Sequence, residues 1–212
     1  MLAPADLRVH YDKGALDERS APAEPIALFS SWFEDAVGSG TPEPNAMTVA
    51  TVDASGQPSA RIVLLKGVDA GGFVFFTNYD SRKGRAMAAE ARVALTFWWP
   101  PLERQVRVEG RAERIAVADS EAYFHARPRG SQLGAVASTQ SAVVEGREAL
   151  EARLADAEAR FEGQEVERPA QWGGYRVVPE VVEFWQGRPN RLHDRLRYTR
   201  AEDAWQMERL AP

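Results

Sequence analysis

Ala46-Met47-Thr48-Val49-Ala50-Thr51-Val52-Asp53, followed by Ala54-Ser55-Gly56-Gln57-Pro58 and then Ser59-Ala60-Arg61-Ile62-Val63-Leu64-Leu65-Lys66, is the stretch on which the fold turns. Its side chains follow a period of two on either side of a loop holding Gly and Pro, which predicts two strands joined as a hairpin. Downstream, Phe73 to Thr77 follows a Gly71-Gly72 turn and makes a third strand. Further strands are predicted at Val93 to Trp98, Gln105 to Ile115, Tyr175 to Trp185, His193 to Tyr198 and Trp205 to Leu210. Short strands separated by tight turns, with few helices between them, indicate a mainly β chain closed as an antiparallel barrel rather than a doubly wound sheet. Upstream, Pro25 opens a helix in which Ile26, Phe29, Trp32, Phe33 and Ala36 recur at three- and four-residue intervals, a core-facing stripe.

The chain has 212 residues, 44% of them hydrophobic, enough to bury one sizeable core, and no Ser/Gly-rich linker divides it, so one domain is expected. A net charge of −5 with basic residues scattered among acidic ones argues against charge-driven nucleic-acid binding. The absence of cysteine excludes disulfides, thiolate metal sites and a Cys nucleophile, and His10, His125 and His193 show no metal-ligand spacing. No apolar run approaches a membrane span and the first residues lack a signal pattern, so a cytoplasmic protein is expected. Neither a Gly-x-Gly-x-x-Gly nor a Walker loop is present, so a nucleotide here is not held in the Rossmann or P-loop manner.

Several cations are placed as if for anions. In the strand Arg61 to Lys66 the two charged ends are expected on opposite sides of the sheet, serving two anionic groups or snorkelling to solvent. Asn78 to Met87 starts a helix with Asp80 or Ser81 as N-cap, and Arg82 and Lys83 then occupy its first turn. Cations at the positive end of a helix cost about a few tenths of a kcal/mol each unless a phosphate docks there. Asp119 to Ala126 is predicted helical, which sets Tyr123 and Arg127 four residues apart on one face, and Ser131 follows in a Gly-containing turn. Glu145 to Glu162 reads as a structural helix burying Leu150, Leu154, Ala157 and Phe161.

Val182-Glu183-Phe184-Trp185-Gln186-Gly187-Arg188-Pro189-Asn190-Arg191-Leu192-His193-Asp194-Arg195 reads as strand, turn and strand. An extended Arg191 to Arg195 would set Arg191, His193 and Arg195 on one face, either gripping an anion or forming a solvated edge. This run, with Glu183-Phe184-Trp185-Gln186 followed after a four-residue gap by Arg191-Leu192-His193-Asp194-Arg195, resembles the C-terminal motif of pyridoxamine (pyridoxine) 5′-phosphate oxidases. The match extends through Arg61 to Lys66 and from Arg8 to Pro212.

The resemblance implies an FMN-binding split barrel, a homodimer with FMN at the interface, and oxidation of pyridoxine or pyridoxamine 5′-phosphate to pyridoxal 5′-phosphate by hydride transfer, with dioxygen as acceptor. It assigns FMN to Arg61, Ile62, Val63, Leu64, Leu65, Lys66, Phe76, Thr77, Arg82, Lys83, Gln105, Trp185 and Arg195, and to Gln140 and Ser141 reaching the neighbouring subunit's flavin. It assigns the substrate phosphate to Lys66, Tyr123, Arg127 and Ser131, and the substrate's opposite face to Arg191, Leu192 and His193, with Arg191 and His193 as catalytic residues. Arg8 and Tyr11, in an N-terminal arm over residues 1–20, would form a lid. Ala142 departs from the family's more usual hydroxyl residue. The competing readings are a flavin oxidase of phenazine-type biosynthesis and a non-catalytic flavin- or pyridoxal-phosphate-binding protein.

Overall fold

The structure, a computed structural model, describes residue 7 and residues 10–202 and 204–212. The predicted strands form, extended by one to three residues at most ends. They are β1 (Ala46–Val52), β2 (Pro58–Leu64), β3 (Gly67–Asp69), β4 (Gly72–Asn78), β5 (Arg92–Trp99), β6 (Arg104–Arg114), β7 (Trp172–Gln186), β8 (Asp194–Ala201) and β9 (Ala204–Arg209). The short β3 was not foreseen, because three residues carry no period. Helices are α1 (Pro25–Gly38), α2 (Arg82–Ala89), α3 (Val117–Ala126), α4 (Arg129–Ala137) and α5 (Arg147–Arg160). The strand order is β2-β1-β5-β6-β7-β4-β3, with β8 on β7 and β9 on β8. Pairings β3–β4, β4–β7, β7–β8 and β8–β9 are antiparallel, so the mainly β, antiparallel class expected above holds.

The chain divides into two compact units, one comprising the described residues up to Val49 with Ala94–Gly110 and Pro179–Pro212, the other Ala50–Val93 with Arg111–Val178. In the first unit α1 buries Phe29, Trp32 and Ala36 of the expected stripe together with Leu28, while Ile26 and Phe33 are only partly buried. Phe29 meets Phe97 edge-on at 5.0 Å between centroids, Trp32 meets Phe184 at 5.2 Å, and Phe184 meets Tyr198 at 5.7 Å. Two buried polar tips are satisfied by backbone carbonyls: Trp99 Nε1 donates to Pro44 O at 2.9 Å and Tyr198 Oη to Pro22 O at 2.9 Å.

In the second unit β4 pairs with the start of β7 in the register Phe73↔Val177 to Asn78↔Trp172. The helices α3 to α5 close over a cluster of Phe124, Leu133, Ala157, Phe161, Val166 and Trp172. The α5 reading shrinks at both ends, and Leu150 and Leu154 are only partly buried. Ser131 lies in the first turn of α4 rather than in a loop, because Pro128 ends one helical run and is itself the N-cap of the next.

Candidate functional site

In the second unit, Ser81 caps α2: its Oγ accepts from Gly84 N at 3.2 Å, as the run of polar residues before the helix suggested. A Cβ on Gly84 would lie 2.1 Å from Tyr79 O, so only glycine lets this first turn sit so tightly on the end of β4. That geometry turns Lys83 inward. Its Nζ is buried and donates to Thr77 Oγ1 at 2.8 Å, Gln140 Oε1 at 3.2 Å and Ser81 Oγ at 3.3 Å, all neutral oxygens. Burial, and after it the charge of Arg61, pull its pKa down to about 8. Arg61 is likewise lowered by burial and then by Arg82, and it donates to Thr51 Oγ1 at 2.8 Å and Ser59 Oγ at 2.7 Å. Three cations thus repel one another at the N-terminus of one helix, a donor set that fits a phosphate. Gln140 and Ser141 join it from their own chain, Ser141 Oγ accepting from Arg82 N at 3.2 Å, whereas the resemblance sends this pair to a neighbouring subunit.

Beside this cradle lies a cleft of about 690 Å³. Ile62, Val63, Leu64 and Lys66 from the end of β2, Phe76 and Thr77 from β4, Lys83, Gln140, Tyr123, Arg127 and Ser131 all line it. Leu65 is buried and does not line it. Lys66 lies beyond β2, its N donating to Val74 O at 2.8 Å, so it reaches the cleft from a turn and not as the strand's last residue. Phe76 and Tyr123 stack at 3.9 Å, and Trp172 lies parallel to both. The Arg127 guanidinium lies 4.5 Å from the Trp172 centroid, is lowered in pKa by burial, and keeps Nη1 buried with no hydrogen-bond partner among the described residues. A buried, unmatched guanidinium N–H beside Lys66, Tyr123 and Ser131 fits an incoming anion. Sequence reasoning missed Trp172, which looks like ordinary core, and Gln132, whose Nε2 donates to Arg127 O at 2.8 Å and fixes that backbone.

In the first unit the 182–195 segment differs from its expected form. Pro189–Arg191 is a 3-10 turn, Asn190 and Arg191 have φ of 58° and 61°, and β8 begins only at Asp194. Proline cannot donate to a ladder and asparagine tolerates the left-handed region, so the chain turns for longer than a hairpin would. Arg191, His193 and Arg195 therefore do not share a strand face. Trp185 and Arg195 are directly paired across β7 and β8. Arg195 Nε donates to the buried Glu183 carboxylate at 2.8 Å, which raises the Arg195 pKa. Arg191 and Leu192 are exposed, and Gln105 is half-buried on β6, where Val106 and Val108 are buried.

His193 Nδ1 accepts from Arg188 N at 3.1 Å, and burial followed by the Arg191 charge lowers its pKa. Its ring lies 4.6 Å from Trp185 and 5.7 Å from Tyr11, and Tyr11 meets Trp185 edge-on at 5.7 Å. Tyr11, expected in the lid, packs against Trp185 and His193, while Arg8 lies outside the described residues. Sequence reasoning missed the roles of Glu183 and Arg188, because partners such as Arg195 for Glu183 and Gly14 for Arg188 leave no spacing signature.

A mainly β chain with a phosphate cradle at a helix start and an aromatic-lined cleft defines a flavin-binding split barrel. The fold agrees with that of a pyridoxamine 5′-phosphate oxidase-related, FMN-binding protein from Nostoc punctiforme, with TM-score 0.70 at 16% identity over 91% of this chain and all of that one. It is also similar to PhzG from Burkholderia lata, solved with tetrahydrophenazine-1-carboxylic acid, at TM-score 0.88 and 31% identity over 93% of this chain and 98% of that one. The family model described as pyridoxamine 5′-phosphate oxidase matches residues 33–161, and that of the pyridoxine 5′-phosphate oxidase C-terminal dimerisation region matches residues 172–212. The pyridoxine/pyridoxamine 5′-phosphate oxidase of Thermosynechococcus vestitus is 59% identical over 98% of both chains. The chain belongs to the pyridoxamine 5′-phosphate oxidase family. No helix among the described residues is long and apolar enough to cross a membrane.

Proposed function

We propose that this chain is an FMN-dependent oxidase that converts pyridoxine 5′-phosphate and pyridoxamine 5′-phosphate to pyridoxal 5′-phosphate, with dioxygen as acceptor and hydrogen peroxide as product, and ammonia as well from the amine. The observation that carries the substrate assignment is the buried, unpartnered Nη1 of Arg127 in a cleft also lined by Lys66, Tyr123 and Ser131. Four donors lining one cleft suit a phosphate monoester better than an uncharged ring substituent. This favours a phosphorylated substrate over a phenazine-type one.

FMN is assigned to Arg61, Ile62 to Lys66, Phe76, Thr77, Arg82, Lys83, Gln105, Gln140, Ser141, Trp185 and Arg195, at the interface of a homodimer. Its phosphate falls to Lys83, Arg82 and Arg61, whose mutual repulsion it relieves. The chemistry that FMN supplies when bound is acceptance of a hydride from the 4′ carbon and reoxidation by dioxygen. The protein's own contribution is to orient and to exclude water. Lys66, Tyr123, Arg127 and Ser131 fix the substrate by its phosphate. Arg191 and His193 act on the opposite face, where His193, its Nδ1 already accepting from Arg188, offers Nε2–H as a donor to the substrate's polar substituents. Tyr11, and by the resemblance Arg8, cover the substrate. The chain works as a single split-barrel domain in the cytoplasm.

Supplying pyridoxine 5′-phosphate and oxygen to purified protein and recording peroxide and aldehyde tests this reading. Arg191→Met is expected to retain bound FMN and its visible spectrum while turnover collapses. Unchanged turnover in that variant removes the role given to Arg191, and a protein that binds flavin but makes no peroxide would be a carrier.

A further inference from the structure

Glu103 has no place in the chemistry above, yet its surroundings are unusual for a glutamate. Its side chain is buried, its φ is 54°, and it ends the 3-10 turn Pro100–Leu102 in the left-handed conformation. Burying a carboxylate costs several kcal/mol unless hydrogen bonds replace its water, roughly the full desolvation penalty of the group. Here the replacements come from the N-terminal arm: Glu103 Oε2 accepts from Asp12 N at 2.9 Å and from Lys13 N at 3.1 Å. Those are the two backbone amides immediately after Tyr11.

The same residue also grips the other side of the site. Glu103 O accepts from Gly187 N at 2.8 Å and Gln186 Nε2 at 3.3 Å, where β7 ends and the turn carrying Arg191 and His193 begins. A Cβ on Gly187 would lie 2.9 Å from Tyr11 Cγ and 3.0 Å from Glu103 Cβ, so arm, Glu103 and turn are packed without spare room. At the next residue of the arm, Arg188 Nη1 donates to Gly14 O at 2.7 Å while Arg188 N holds His193 Nδ1.

We propose that Glu103 is a positioning residue: its carboxylate anchors the backbone just after Tyr11, and thereby sets the Tyr11 ring against Trp185 and His193 to cover the substrate. The assignment rests on the oxidase reading above for its kinetic consequence, but not for its structural one. Tyr11 needs this clamp because it is only half-buried and the Asp12 and Lys13 that follow it are exposed, so the segment buries little surface of its own. Charge-assisted bonds to two adjacent amides supply the order before substrate arrives, so substrate binding does not have to supply it.

The test uses the FMN-loaded protein with Glu103→Ala, Glu103→Gln and Tyr11→Ala. In Glu103→Ala the amides of Asp12 and Lys13 are expected to exchange with deuterium at least about tenfold faster. KM for pyridoxine 5′-phosphate is expected to rise about tenfold with kcat nearly unchanged, the pattern of lost uniform binding. Glu103→Gln keeps one acceptor oxygen and should restore part of both effects, and it serves if the alanine variant does not fold. Because Glu103 acts through Tyr11, adding Glu103→Gln to Tyr11→Ala should raise KM no further. Unchanged amide exchange, or additive effects on KM, overturns the proposal. If the wild type oxidises nothing, the oxidase reading fails separately; the exchange measurement, with affinity for pyridoxal 5′-phosphate in place of KM, still decides the role of Glu103.

Discussion

Arg127 holds its guanidinium carbon 4.5 Å from the centre of the Trp172 ring, with Nη1 buried and unmatched by any described residue. Such a cation over an indole face gains about 0.5 to 2 kcal/mol, the more when water is excluded, and the ring also fixes the plane in which the remaining N–H groups point. Trp172→Leu is therefore expected to raise KM for the phosphorylated substrate about tenfold and to weaken inhibition by inorganic phosphate, with FMN content unchanged. Trp172 also belongs to the buried cluster of α3 to α5, so the leucine variant will lose thermal stability as well. Trp172→Phe, which keeps an aromatic face, should recover most of the KM. Steady-state kinetics beside a melting curve separates the two effects.

Lys83 gives a pH test that needs no substrate. Its pKa in the flavin-free protein is lowered from 10.5 to about 8, so between those values the folded chain has released a proton that the unfolded chain still holds. Stability rises with pH wherever the unfolded state binds more protons. The flavin-free wild type should therefore gain stability relative to Lys83→Met from about pH 8 to pH 10. Below pH 8 the charged lysine carries its full burial cost at every pH, so the difference there should be flat. Adding FMN, whose phosphate favours the ammonium form, should abolish the rise. A difference curve that stays flat across the whole range would mean that Lys83 is better solvated than its burial indicates.

What could be read in advance separates along physical lines. Period-two alternation with Gly and Pro punctuation located every strand of four residues or more, because successive strand side chains point to opposite faces and the turns between strands carry Gly and Pro. The Ser81 cap and the awkward Arg82-Lys83 pair were visible because helix ends obey local rules. The geometry of Arg191 was not, since the choice between a two-residue reversal and the Pro189–Arg191 turn depends on contacts such as Arg188 N with His193 Nδ1. Trp172, Gln132 and Glu103 escaped for the same reason. Each acts through a partner 5 to 91 residues away, and nothing in the spacing of the chain announces such a pairing.

His193 should impose an acid limb on the reaction. Its Nδ1 accepts from the Arg188 amide, which places the proton of the neutral ring on Nε2. Protonation would set a second N–H against that amide, and burial together with the Arg191 charge opposes it, Asp194 only partly compensating. The lowered pKa means the neutral ring persists to a pH below the ordinary histidine value. The expectation is that kcat/KM stays level through neutral pH and falls only below that value. Arg191→Gln, though slow, should shift the limb upward by removing a positive neighbour. His193→Gln should lose the limb altogether and run about 10- to 100-fold slower. A pH–rate profile of the three proteins decides it.

Gly187 tests whether Tyr11 is held by packing as well as by hydrogen bonds. Its backbone is not in the left-handed region, so alanine is permitted conformationally, and the obstacle is the space already filled by Tyr11 Cγ at 2.9 Å, Tyr11 Cβ at 3.0 Å and Glu103 Cβ at 3.0 Å. Overfilling a packed position costs about 1 to 3 kcal/mol, and here the arm is the part free to yield. Gly187→Ala should lower the melting temperature and raise KM while leaving the flavin spectrum as it was. Tyr11→Gly removes two of the three crowding atoms, so in that background the same substitution should cost markedly less stability. An equal loss in both backgrounds would place the strain on Glu103 and the end of β7, and Tyr11 would then be a passive neighbour of the turn.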